Sequence, residues 1–238
     1  MNSPLTPSSP TPHDPAAENM ERQRRAIAAL GHELRLLVDA TVRTTASPAA
    51  LNHLADRVRA LTGQLTGHRR RPADIPEVDE FPGGVRMYSP VTGAGSPLAP
   101  PMRVTPVDGG VVGRCRLGIA HEGPPGYGHG GVSAMLLDEL FGWACAAAGR
   151  PGMTISLGTR YQGPVPLETP LLASARVTGT DGRKTFVTGS ITTETDPSTV
   201  LVEADGIFVA PGLDMARARF PALGSITSVL PDEEMTQP

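Results

Sequence analysis

The chain has 238 residues, 39% hydrophobic and 4% aromatic, with a formal net charge of -3. That length suits one ordinary domain with an appendage. The near-neutral balance argues against nucleic acid or an acidic membrane surface as a partner, and no stretch reaches the ~20 apolar residues of a membrane span. The two cysteines, Cys115 and Cys145, sit in apolar segments and are too few for a disulfide framework. The opening MNSPLTPSSPTPHDP has no apolar run and does not read as a secretory signal, so a cytoplasmic location is expected.

Residues 1–16 are rich in Pro and Ser, lack periodicity and are expected to be disordered. Residues 17–67 read as two amphipathic helices. Ile27, Leu30, Leu34, Leu37 and Thr41 recur at alternating three- and four-residue steps. Ser47-Pro48 is an N-cap followed by Pro at the first helical position, and Leu51, Leu54, Val58, Leu61 and Leu65 repeat the seam up to Gly67. A short loop between them predicts an α-helical hairpin whose apolar stripes must be buried against each other, the main domain or another subunit. Residues 68–101, with HRRRP and GAGSPLAPP, read as a Pro/Gly-rich linker or an extended wrapping segment.

From Met102 the pattern changes to strands. MRVTPV and VVGRCRLGIA flank Asp108-Gly109-Gly110, a hairpin signal. Residues 121–128, HEGPPGYG, cannot form regular structure. A helix is expected from about Gly130 to Ala148, stopped by Gly149-Arg150-Pro151-Gly152. Four strand candidates follow, Met153–Gln162, Leu171–Thr180, Thr185–Thr195 and Thr199–Ala210, separated by turn sequences that join antiparallel neighbours. One helix with a run of antiparallel strands after it predicts an α+β domain over 102–211, its sheet wrapped on the helix. Residues 212–238 are expected to fray.

The stretch His129-Gly130-Gly131 running into Asp138-Glu139 holds the chemistry. Gly126 to Gly131 matches G-x-G-x-x-G, but Pro124-Pro125 interrupts the strand that should precede a dinucleotide fingerprint. No acid follows between Leu140 and Leu167 to hold a ribose. Two readings remain. In one, the glycines simply admit the chain to a buried helix. In the other, the helix start offers free N–H groups to a developing oxyanion and a carboxylate on the same helix activates water or attacks a carbonyl. The catalytic reading carries a condition. Gly131 and Asp138 are seven residues apart, hence about 10 Å along one face. One carbonyl cannot touch both, so two copies of the helix must face each other, which predicts a dimer with two composite sites. Glu139 points about 100° away around the helix and is the reserve acid. His121, His129 and Glu122 lack the fixed spacing of a metal motif, and no metal is expected.

H-G-G, a nine-residue interval from the His to an Asp, and the continuation M-T-x-x-L-x-x-x-Y-x-x-P over Met153 to Pro164 resemble hot-dog-fold acyl-CoA thioesterases, nearest the phenylacetate-pathway and mammalian thioesterase-superfamily-member branch. The resemblance covers about residues 102–211, with D-G-R-K at Asp181–Lys184, and leaves the N-terminal hairpin outside. It implies a curved antiparallel sheet around a central helix, paired into a homodimer, with assembly into a tetramer left open. It implies Asp138 as general base or nucleophile, Thr154 as its support, Gly131 as the backbone oxyanion donor and His129 as a group positioning the thioester. Gly130, Arg160, Arg183 and Lys184 fall where such proteins contact the substrate or the coenzyme A phosphates. Arg160 departs from the small polar residue common there in the mammalian branch. The substrate implied is an acyl-CoA, with no cofactor beyond the coenzyme A it carries. Two other functions fit the same residues: an acyl-thioester hydratase or dehydratase, and a non-enzymatic acyl-CoA-binding or scaffold protein.

Overall fold

The structure is a computed structural model that describes residues 14–67, 69–72, 74–80 and 84–210. The segments expected to be disordered (1–16) and to fray (212–238) lie outside the described residues, apart from the start of the first helix. That helix, α1, runs Pro15–Arg43, with the Asp14 side chain accepting from the Ala16 N–H and Pro at its first position. Helix α2 follows at Pro48–Leu65, capped by Ser47 as its sequence predicts.

Six strands form one antiparallel sheet in the order β1-β2-β4-β5-β6-β3. They are β1 Arg103–Val107, β2 Gly110–Arg116, β3 Met153–Tyr161, β4 Pro170–Asp181, β5 Lys184–Thr193 and β6 Val202–Val209. Asp108-Gly109 makes the β1–β2 turn, Gly109 taking a φ of 74° that other L residues resist. Helix α3, Gly130–Ala147, lies across one face of the sheet, which is the hot-dog architecture. β3 is a terminal strand. It pairs with β6 on one side, and among the described residues its other edge is bare, with Ile155 55% exposed.

Apolar residues fill the concave face. Leu136, Leu137, Leu140, Phe141, Ala144 and Cys145 of α3 are buried against Ala173, Ala175, Val187, Ile191, Val202 and Phe208 of the sheet. Alternation along β4 and β6 supplies this inward set. Two glycines set the depth of the helix. A Cβ on Gly189 would stand 2.6 Å from Phe141 Cε1, and one on Gly206 would stand 2.8 Å from Phe141 Cδ2. The Phe141 ring therefore lies in a bed without side chains, and meets Phe208 edge-on at 6.5 Å.

Of the two readings of residues 68–101, linker and extended wrapping segment, the structure shows the second, and packs it: Val78, Met87, Val91 and Ala99 are buried and Val91 belongs to the core. The segment is a wrap. Its polar backbone is satisfied by local turns such as Ser89 N–H to Arg86 O, so no regular period marks it. The expected hairpin needs correction, because it is open. α1 lies on the wrap, with Gly31 buried so closely that a Cβ would meet Ala94 O at 2.5 Å, and Arg35 donates to Ala94 O and Ser96 O. α2 does not fold back on it, and every residue of Pro48–Leu65 is exposed.

Truncating the ring that seats α3 should cost stability. Phe141→Ala is expected to lower the unfolding free energy by about 3–5 kcal/mol, read from urea denaturation monitored by circular dichroism. A loss below about 1 kcal/mol would mean the helix is seated by other contacts.

Candidate active site

The site is built on the first two turns of α3 and on the strand beside it. His129 is the N-cap, and its Nδ1 accepts from the Gly131 N–H at 3.0 Å. Nδ1 is the acceptor in this contact, which leaves Nε2 as the ring's donor nitrogen. The cap occupies the same N–H that an oxyanion would use, so a carbonyl oxygen approaching Gly131 must displace the His129 ring. Gly130 adds a second constraint. The Tyr161 hydroxyl donates to its carbonyl at 2.9 Å, and a Cβ on Gly130 would stand 3.2 Å from the Tyr161 ring.

Two turns further on, the acids separate. Asp138 Oδ1 accepts from the Thr154 hydroxyl at 2.7 Å, on the bare-edged strand β3. Both residues remain reachable from solvent, Asp138 half-buried and Thr154 exposed. Glu139 turns the other way, into the wrap. Its Oε1 accepts from Ser89 Oγ at 3.0 Å and Thr92 Oγ1 at 3.1 Å. One carboxylate faces the strand edge with an oxygen to spare. The other ties the wrap to the helix.

The remaining predicted residues are spread more widely. Arg160, on β3, reaches across to β6, donating to Asp205 Oδ1 at 2.8 Å with Glu203 Oε2 at 3.8 Å. Its charge is thus already compensated, and Asp205 beside it raises its pKa further. Arg183 and Lys184 lie exposed at the β4–β5 hairpin, where Gly182 has a φ of 53°. Arg150 braces that turn, donating to Gly182 O at 2.6 Å and Thr185 Oγ1 at 3.1 Å. His121 and Glu122 are engaged in the loop: His121 Nε2 lies 3.1 Å from Leu98 O, and Glu122 Oε1 accepts from the Gly126 N–H. Among the described residues no group of three or more His, Cys, Asp or Glu could hold a metal ion.

Residues 125–200, which span the glycine-rich turn, α3 and the strands beside it, match the family model of the thioesterase superfamily. A solved structure described as a thioesterase superfamily protein is 39% identical, with a TM-score of 0.69 over 77% of this chain and 94% of its own. The chain belongs to the thioesterase superfamily. Two curated relatives share a shorter part of this superfamily chain. Acyl-coenzyme A thioesterase THEM4 of Mus musculus is 33% identical over 92 residues, 39% of each protein. Acyl-coenzyme A thioesterase THEM5 of Homo sapiens is 30% identical over 88 residues, 37% of this chain and 35% of its own. The chain thus spans less than half the length of the curated relatives it matches.

Within this superfamily chain the structure brings together Asp138 with Thr154, and His129 with Gly131, as two separate pairs. Sequence reasoning passed over Tyr161. It is the Tyr of the M-T-x-x-L-x-x-x-Y-x-x-P motif, and its strand position seven residues beyond Thr154 was the available signal. Sequence reasoning also missed Ser89 and Thr92, whose roles depend on a wrap that carries no periodic signal.

The division of labour between the acids is testable by stability. Glu139→Ala leaves two half-buried or buried hydroxyls without their acceptor and should cost about 2 kcal/mol in urea unfolding. Asp138→Asn, which keeps the shape of a group held by one hydroxyl, should cost less than about 1 kcal/mol. A reversed order would assign the structural role to Asp138.

Proposed function

We propose that this protein hydrolyses an acyl-CoA thioester to the free acid and coenzyme A, with Asp138 as the catalytic carboxylate. The Thr154–Asp138 hydrogen bond carries this reading. The Thr154 hydroxyl holds Oδ1, which orients the carboxylate and leaves Oδ2 as the basic oxygen. In the hydrolytic step Oδ2 takes a proton from water as the water oxygen bonds to the thioester carbon. The carbonyl oxygen becomes an oxyanion, held by the Gly131 N–H once His129 has swung aside, with His129 Nε2–H positioning the thioester. The C–S bond then breaks, and the thiolate leaves with the proton from Asp138. Direct attack by Asp138, followed by hydrolysis of a mixed anhydride, would use the same groups.

The same proposal includes a homodimer. Helix α3 separates Gly131 from Asp138 by about 10 Å, too far for one carbonyl. Its neighbour β3 has a bare edge, and Thr154 near one end touches Asp138 while Tyr161 at the other touches Gly130. Antiparallel pairing of two β3 edges about a two-fold axis would carry the Thr154 end of one strand to the Tyr161 end of the other. The acid of one protomer would then meet the oxyanion donor of its partner. Gly130 would line the thioester channel, and the exposed charges of Arg183 and Lys184 would be available to coenzyme A phosphates. No helix among the described residues is long and apolar enough to cross a membrane, and both cysteines are free. These observations support a cytoplasmic setting.

A panel of acyl-CoA esters, with free thiol as the readout, tests the activity. We expect turnover on at least one ester and a drop of about 100-fold or more in kcat for Asp138→Asn. Thr154→Val should lose about tenfold. Undiminished hydrolysis by Asp138→Asn would remove the assignment. Formation of an enoyl thioester without free thiol would transfer it to a hydratase or dehydratase, and tight binding without turnover to a binding protein.

A further inference from the structure

The feature of the fold that its own chain leaves unexplained is α2. It is 18 residues long and every one is exposed, including Leu51 at 39%, Leu54 at 45%, Val58 at 40%, Leu61 at 57% and Leu65 at 58%. A helix of about five turns with an uncovered apolar stripe is marginal in water, because most helical stability in proteins comes from burying such a face. The stripe advances by steps of three, four, three and four residues, the 3.5-residue period of a two-helix seam.

The same period recurs on α1, where Ile27 and Leu34 lean on the wrap while Leu30, 47% exposed, and Leu37, 42% exposed, point away from it. The two stripes match, yet they do not meet within the chain. α2 is not packed along α1, which is the form of an opened hairpin whose second helix is offered to another molecule.

Charge selects the occupant. In an antiparallel pairing of α1 with α2, Leu30 and Leu37 face Val58 and Leu51, and Glu33 and Arg57 fall at matching flanking positions. Both side chains are exposed, and neither has an ion pair among the described residues, whereas Glu21, Asp39 and Asp56 are already paired. An antiparallel pairing of α2 with another α2 through the same stripe would instead set Arg57 near Arg57. A two-fold exchange makes two such seams, each meeting at Leu30–Val58 and Leu37–Leu51, about 10 Å apart along the helix.

We propose that α2 docks on α1 of a second copy of this chain, so that two protomers exchange their second helices. The occupant of the Leu51–Leu65 stripe is the partner's α1, and the partner's Glu33 pairs with Arg57. The exchange does not depend on the catalytic reading, and its test reads assembly rather than turnover.

Leu37→Cys and Leu51→Cys chains, carrying different tags, are co-expressed and treated with a short bis-maleimide. The native thiols form a quiet background, since burial pushes Cys115 up to about 12 and Cys145 up to about 11. We expect a covalent dimer bearing both tags, at a yield at least about tenfold above either variant expressed alone. Adding Val58→Glu to the Leu51→Cys chain should abolish it. Absence of the two-tag dimer, with both introduced thiols freely alkylated, would overturn the proposal. So would a doubly substituted single chain that cross-links only within itself, which would mean a closed hairpin.

Discussion

The rigidity of α3 decides how this site can be made. Backbone hydrogen bonds hold the helix at 1.5 Å per residue, so Gly131 and Asp138 cannot be brought to one point by any local adjustment. Gly131, the proposed oxyanion donor, and Asp138, the proposed base, are fixed on one face and kept apart. What the fold can do is choose what stands beside each. β3, the terminal strand of the sheet, reaches both: Thr154 holds Asp138, and Tyr161 holds the carbonyl of Gly130. The separation on the helix becomes a separation on a bare sheet edge, and two such edges can be joined. That is why the proposed split site fits a chain whose outermost strand is unpaired among the described residues.

The helix can serve this way only because it is tightly seated. Phe141 lies over Gly189 and Gly206, where any Cβ would clash, and the leucines around it are fully buried. Adjacent acids on such a helix face different costs. Glu139 enters the wrap, and two hydroxyls answer it. Asp138 stays at the strand edge with one hydroxyl and one free oxygen. A carboxylate satisfied on one side is held still without being neutralised, a useful condition for a base. The His129 cap has the same logic. While no substrate is bound it satisfies the Gly131 N–H, and its ring can be exchanged for a carbonyl oxygen at modest cost.

Much of this was legible in the sequence, for identifiable reasons. The strands after α3 alternate apolar and polar residues and are divided by turn sequences, with Gly182 at positive φ between β4 and β5, so their bounds could be read to within about three residues. Asp138 and Thr154 followed from a motif, and their contact agrees with it. The wrap was not legible as packed structure. Met87, Val91 and Ala99 are buried singly, at no period, and their backbone is satisfied by turns. Glu139 was placed off the catalytic face by helix geometry, but its partners lie some fifty residues away in that aperiodic segment. The hairpin expectation rested on two matched stripes and a short loop. The stripes are there, but α2 is not packed along α1, and hydrophobic periodicity does not report loop geometry. The His129 cap depends on one side-chain rotamer, and Arg160 on two acids of another strand, neither of which a linear pattern contains.

In the proposed dimer each site takes its acid from one chain and its oxyanion donor from the other. Subunit complementation addresses it directly. Asp138→Asn and His129→Ala chains, each impaired alone, would be co-expressed and the mixed dimer isolated by two tags. The account predicts one site in that dimer with both halves intact, restoring about half of the wild-type rate. A mixed dimer no faster than the average of the two parent variants would show that each chain builds its site alone.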